Sequence, residues 1–228
     1  MPARDQKYQY QEQLFAQYGF TDRLEIDGQA TYQQNYMIQG NSAAQTSGPG
    51  DSTLFLRYCI IEEDGRLPHL TALAQVKVPT GNYQHADPAK LGTDLMGTGS
   101  WDHGYGLIMT KKMRPFLLHL DAVYNLPLET QVDGVKILYG QYLNYDLGLE
   151  YFLPGGFNLM LEANGLAQRN RRQDGAEIPN SGLNSLTIAP GLGWSNDAVQ
   201  LLLAYQRTLS GANTDALDAI AFDFVCTF

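Results

Sequence analysis

His119 and Asp121 lie two residues apart, so on a strand they share a face, and a histidine beside a carboxylate is the pairing that orients a general base. A base of this kind needs a hydroxyl nucleophile, and no serine falls on the matching face of the neighbouring alternating segments. The pair therefore reads as a solvated histidine, and no catalytic residue is assigned. His85 shares a long loop with Asp87 and Asp94, donors that suit a divalent ion, although loops collect such residues without binding one; His69 and His103 show no metal-ligand spacing. Gly97-Thr98-Gly99-Ser100 and Gly104-Tyr105-Gly106 imitate a phosphate loop but lack its lysine and following helix. Neither a metal nor a cofactor is expected. Arg169, Arg171 and Arg172 form a basic cluster whose guanidinium forks suit phosphate oxygens, while a solvated loop face would explain it equally well.

What remains is electrostatic. Glu25, Asp27, Asp121, Asp146, Glu150, Glu162 and Asp223, the bases Arg57 and Lys77, and His119 all alternate with apolar residues. The amides Gln29, Gln75, Asn125, Asn144, Asn158, Asn164, Gln200 and Gln206 do the same. Seven acids against two bases is an unbalanced face. Unpaired carboxylates removed from water cost several kcal/mol each, so the face is wet, or Arg57 and Lys77 bridge several acids, or some acids are protonated.

The elements that carry these residues are strands. In Leu143-Asn144-Tyr145-Asp146-Leu147-Gly148-Leu149-Glu150-Tyr151 every odd position is apolar or aromatic and every even one is polar or glycine. That period of two gives a strand one apolar and one polar face. The same alternation runs through Leu24–Tyr32, Phe116–Tyr124 and Ile220–Phe228, and helical spacing is not sustained anywhere comparable. Tight-turn chemistry at Thr21-Asp22-Arg23, Asp64-Gly65-Arg66, Lys112-Met113-Arg114, Pro154-Gly155-Gly156 and Ser195-Asn196-Asp197 recurs every 41 to 48 residues. Long loops rich in Gly, Ser, Asn and Pro fall between, near 38–51, 79–97, 127–137, 168–184 and 209–217.

Eleven strands are expected, over 8–20, 24–37, 52–62, 67–78, 98–111, 115–126, 138–152, 157–168, 185–194, 198–209 and 218–228. Strands of about ten residues span a bilayer when tilted. Short turns at one end and long loops at the other describe an all-β, antiparallel, up-and-down transmembrane β-barrel. Such barrels have even strand numbers, and the first visible strand already runs toward a tight turn. The expectation is a single domain over 1–228, a twelve-stranded barrel whose first strand lies upstream or is too weak to see. Leu24, Ile26, Leu118, Leu120, Tyr145, Leu147, Leu149, Leu201, Leu203, Phe222, Phe224 and Phe228 then face lipid. The charged rows named above line a lumen. Twelve strands lie between filled eight-stranded barrels and open sixteen-stranded porins, so strand number alone does not decide whether it is open.

Tyr18, Phe20, Phe116, Tyr151, Phe157, Trp194 and Phe228 fall near the tight-turn ends, and Tyr32, Tyr36, Trp101, Tyr124, Tyr139 and Tyr205 toward the long loops, as two interfacial belts would have them. Pro190 interrupts one strand, and a bulge beside Gly191 would absorb the lost donor. Cys59 should point inward and Cys226 outward, which precludes a bond. Across 228 residues, 44% are hydrophobic, 17% charged, and the net charge is −9. That acidity argues against a nucleic-acid partner, and no apolar run is long enough for a membrane helix. Met1-Pro2-Ala3-Arg4-Asp5-Gln6 does not read as a secretory signal, so export would require one removed or lying outside this chain.

Tyr18-Gly19-Phe20-Thr21-Asp22-Arg23-Leu24-Glu25-Ile26 is similar to the hairpin of a bacterial outer-membrane transporter family of the meta-pathway of phenol degradation type. Gly50-Asp51-Ser52-Thr53-Leu54-Phe55-Leu56-Arg57-Tyr58, Glu62-Glu63-Asp64-Gly65 and Lys77-Val78-Pro79-Thr80-Gly81 resemble its following segments in order. The closing strand with Phe228 resembles the signal read by barrel-assembly machinery. The resemblance implies an outer-membrane β-barrel, with uptake of small, often aromatic solutes. Lipid, lipopolysaccharide, the assembly machinery and a small solute are the partners expected.

Four functions compete: a channel with an acidic lumen, a barrel hydrolase, a plugged anchor or docking barrel, and a soluble β ligand-binding module. The hydrolase would use His103 beside Trp101 and Tyr105 on the outer face, where no serine partner is evident. The soluble module would invert the faces, burying the apolar rows.

Overall fold

The structure is a computed structural model that describes residues 6–227. It is an all-β meander. Its strands are β1 (Gln6–Gly19), β2 (Leu24–Gln39), β3 (Ser42–Pro49), β4 (Ser52–Ile61), β5 (His69–Val78), β6 (Asp102–Met113), β7 (Phe116–Pro127), β8 (Thr130–Val132) and β9 (Val135–Leu138). They continue as β10 (Tyr142–Phe152), β11 (Phe157–Gln168), β12 (Arg172–Gln173), β13 (Ala176–Glu177), β14 (Asn184–Ser195), β15 (Val199–Ala212) and β16 (Asp218–Cys226). One antiparallel sheet runs in the order β1-β2-β4-β5-β6-β7-β10-β11-β14-β15-β16 and curls into a half-barrel. Those eleven strands are the eleven expected from periodicity. β1 and β16 end the order, and across that opening Lys7 Nζ meets Asp215 Oδ2 at 3.2 Å.

The tight turns form for local reasons. Thr21 Oγ1 accepts the N–H groups of Arg23 and Leu24, Asp64 Oδ1 those of Arg66 and Leu67, and Asn196 Oδ1 those of Ala198 and Val199. Each side chain imitates the backbone carbonyl that a turn lacks. At Pro154–Gly156, both glycines hold φ near +80°, which side-chain-bearing residues avoid. The Asp64 carboxyl is held below the usual carboxylate range by the N–H groups of Leu67 and Arg66.

Four expectations need correction. The segment 38–51 is not a loop: β3 pairs with the distal half of β2, from Gln39↔Ser42 to Tyr32↔Pro49. Its Gly, Ser and Ala residues hid a strand that lacks large apolar side chains. Residues 98–101 are not part of β6, which begins at Asp102: the Thr98 N–H is drawn to Asp51 and Gly99 takes a φ of +74°. The loops near 127–137 and 168–184 meet as a second small sheet, β13-β12-β9-β8, which detaches β9 from β10. The bulge in β14 lies between Leu186 and Thr187, not beside Gly191; Pro190 sits exposed on the outer face, and the register to β15 is the same before and after it.

The faces differ in kind. Leu54, Leu56, Tyr58 and Ile60 of β4, Tyr145, Leu147, Leu149 and Tyr151 of β10, and Phe222 and Phe224 of β16 are all exposed on the convex face. The largest fully buried side chains are instead Asn125 and Ser100. Buried apolar residues are few and mostly small: Cys59, Leu73, Met96, Val123, Ala189 and Ala204. A soluble module would show the opposite arrangement, since a wide continuous apolar patch is unfavourable in water. Tyr145 lies over Gly165 on the next strand, where any Cβ would strike its ring. A glycine covered by an aromatic neighbour in this way keeps the outer wall continuous.

Candidate functional site

The concave face is polar, and its alternation follows from the same period of two. Glu25, Arg57, Lys77, His119, Asp121, Asp146, Glu150 and Glu162 are half-buried there, Asp27 is buried at 5% exposure, and Asp223 is exposed on the last strand. On the opposite face Ile26, Tyr145, Leu147, Leu149, Leu203, Phe222 and Phe224 are exposed, and Leu24, Leu118, Leu120 and Leu201 half-exposed. Phe228 lies outside the described residues. Cys59 is buried, Cys226 is exposed, and both are free.

Each of the two inner bases bridges two acids. Arg57 Nη1 lies 2.6 Å from Asp27 Oδ2 and 3.1 Å from Glu25 Oε1, on the strands paired as β2 and β4. Lys77 Nζ lies 3.3 Å from Asp51 Oδ2 and 3.0 Å from Asp102 Oδ2, toward the long-loop end. Asp102 also accepts hydrogen bonds from Ser100 Oγ (2.6 Å) and Tyr142 Oη (3.0 Å). Asp51 escaped the sequence reading because it precedes its strand. Asp102 lies within the expected strand 98–111, where alternation with Trp101 and His103 already places it on the inner face, and the reading passed it over.

Asp51 does more than balance Lys77. It accepts the N–H groups of Gly81 (3.2 Å) and Thr98 (3.0 Å), pinning both ends of the β5–β6 loop to the start of β4. Between these pins the loop lies against the inner face of β2: Gln33 Nε2 donates to the Met96 carbonyl and Asn35 Nδ2 to the Thr93 carbonyl, both at 3.0 Å. Gly81 and Gly97 cross so closely that a Cβ on either would strike the other's backbone. The loop thus turns inward. Its acids serve its own fold: Asp87 Oδ1 accepts the Ala89 N–H and Asp94 Oδ2 the Asp87 N–H. His85 turns away to Asp133, at 3.2 Å. No group of three His, Cys, Asp or Glu residues among those described could hold a metal ion.

The remaining acids are on the other half of the wall. Asp121 of β7 stands opposite Asp146 of β10, and Glu162 of β11 and Glu150 follow on the same face. His119 Nε2 is 3.4 Å from Asp121, and Asn158 Nδ2 donates to Glu150 at 2.6 Å. Arg57 and Lys77 therefore offset two of the four acids they bridge in the β2–β6 half, while the inner acids Asp121, Asp146, Glu150 and Glu162 have no lysine or arginine within ion-pair distance among the described residues. Thr110 Oγ1 sits 3.1 Å from His119 Nδ1, so a hydroxyl, an imidazole and a carboxylate do line up. The surrounding residues pair in regular ladders, Thr110 with both His69 and His119, which engages the backbone N–H groups an oxyanion would need. On the outer face His103 stands between Val76 and Leu126, without a hydroxyl from either.

The family model described as "Putative MetA-pathway of phenol degradation" matches residues 5–224. The chain belongs to that family. This is the family that the Tyr18–Ile26 hairpin and the segments after it resemble. No curated protein matches the chain. Among solved structures, the COG4313 outer membrane channel from Pseudomonas putida F1 is similar in fold, with a TM-score of 0.69 at 18% identity over 93% of this chain and 79% of that one. The likeness in fold is to an outer membrane channel barrel, in keeping with the antiparallel sheet curled into a half-barrel.

Proposed function

We propose that this chain is an outer-membrane channel that admits small solutes, aromatic ones among them, through an acidic, water-filled lumen. The observation that carries this reading is the inversion of the two faces: apolar side chains exposed on the convex side, acids and amides gathered on the concave side. A convex apolar surface is stable against hydrocarbon, and a polar interior is stable against water. The family description supports an aromatic solute, and the Pseudomonas putida protein of similar fold, itself an outer membrane channel, supports conduction. The surplus of acids from β7 to β16 gives the lumen a negative potential that concentrates cations and repels anions. No covalent chemistry is required. In the same reading Arg169, Arg171 and Arg172, all near the long loops, meet lipopolysaccharide phosphates, and Phe228 addresses the assembly machinery.

A second reading, a plugged barrel, is favoured by one observation, the β5–β6 loop lying across the inner face of β2. Conductance of the refolded chain in planar bilayers under a KCl gradient separates the two. A channel gives discrete openings and a reversal potential of cation sign. Silent bilayers support the plug, and an anion-selective current overturns the acidic-lumen reading.

A further inference from the structure

Between the inner face of β1–β2 and the inward loop lies a cavity of about 320 Å³. Ligand pockets begin near this size, and a void of about 150 Å³ already holds benzene. Its walls combine two chemistries. Met37, Leu95 and Met96 supply apolar surface, and methionine sulfur makes favourable contacts with ring edges. Gln9, Gln33 and Asn35 supply amides. Gln9 Nε2 donates to Gln33 Oε1 at 2.9 Å and Gln33 Nε2 to the Met96 carbonyl, so these two hold the wall together. Asn35 differs. Its Nδ2 is engaged with Thr93, but its Oδ1 is buried without any protein partner, in a side chain 7% exposed. A buried acceptor left unpaired favours a ligand that brings a donor. The two charges at the rim are already committed, Lys7 to Asp215 and Asp51 to Lys77. A charged ligand would therefore enter without a free counter-ion.

We propose that this cavity is a solute-binding site at the long-loop mouth, taking a neutral molecule with a ring-sized apolar body and one hydroxyl-type donor directed to Asn35. The assignment rests on the channel reading, for which it would be a selectivity station on the solute's path. Its test is the ¹⁹F linewidth of 4-fluorobenzyl alcohol with the full chain in lipid nanodiscs, measured against empty nanodiscs, with 4-fluorotoluene and 4-fluorobenzoate as companions. The alcohol should broaden at least fivefold more than the benzoate. Met37→Trp, which fills the cavity without touching the loop's hydrogen bonds, should abolish that difference. Asn35→Leu should remove the preference for the alcohol over the toluene. Broadening that matches empty nanodiscs, that survives Met37→Trp, or that is equal for the benzoate overturns the site. Conductance without binding rejects this cavity alone, whereas binding in a silent protein rejects the channel and keeps the cavity.

Discussion

Asp121 and Asp146 face each other at matching positions of the β7–β10 ladder, two carboxylates where a cross-strand pair would ordinarily be opposite in charge. Among the described residues only His119, 3.4 Å from Asp121, approaches them as a group able to carry positive charge. Water, a passing cation or a proton shared between the two carboxyls must relieve the pair. Replacing Asp146 by Asn should leave assembly intact, hold or raise thermal stability, and reduce cation preference in reversal-potential measurements. Unchanged selectivity together with a large loss of stability would show that this pair is structural and not part of a conducting wall.

The Lys77 bridge holds the inward loop in place. Lys77→Met would leave Asp51 and Asp102 facing each other without their cation, and breaking a pair as buried as this one costs about 3–5 kcal/mol. The expected result is a lower melting temperature in detergent and a larger, noisier single-channel conductance as the loop ends come free. A variant that conducts quietly at wild-type amplitude would mean that Asp51's hydrogen bonds to Gly81 and Thr98 suffice without Lys77.

The outer face gives the sharpest contrast between neighbours. Leu147 is 46% exposed on the convex side, between Asp146 and Gly148, which point inward. Leu147→Arg should cost about 2–4 kcal/mol at mid-membrane depth and block insertion, as should Phe222→Arg. Heat-modifiable mobility on gels and protease protection would read the outcome. Normal insertion of both arginine variants would reverse the assignment of the two faces.

At the Asp64 turn the pH dependence has a definite sign. The folded carboxyl titrates below its unfolded value, because two backbone N–H groups favour its charged form. Its contribution is therefore present above an unfolded pKa of about 3.9 and is lost as pH falls through the folded value. Asp64→Asn keeps an oxygen acceptor but no charge. The difference in melting temperature between wild type and this variant should stay constant above about pH 5 and close at lower pH. A gap that persists unchanged to acid pH would assign the turn's stability to geometry alone.

Alternation between neighbours is a local property of the backbone, so the strands, their two faces and the short turns were legible from residues such as Tyr145-Asp146-Leu147 without any knowledge of what packs where. Arg57 was legible as an inner base for the same reason, although its two acids became evident only through the β2–β4 register. Three features depended on the tertiary structure. The partners of Lys77 come from the segment before β4 and from the first residue of β6, and the curl of the sheet brings them together. The loop 79–101 has no period, so its inward path is set by Gln33 and Asn35 reaching its carbonyls and by two glycines crossing. The division into a half whose inner acids are bridged by bases and a half whose inner acids are not arises because pairing depends on distance across strands, which composition along a strand does not encode.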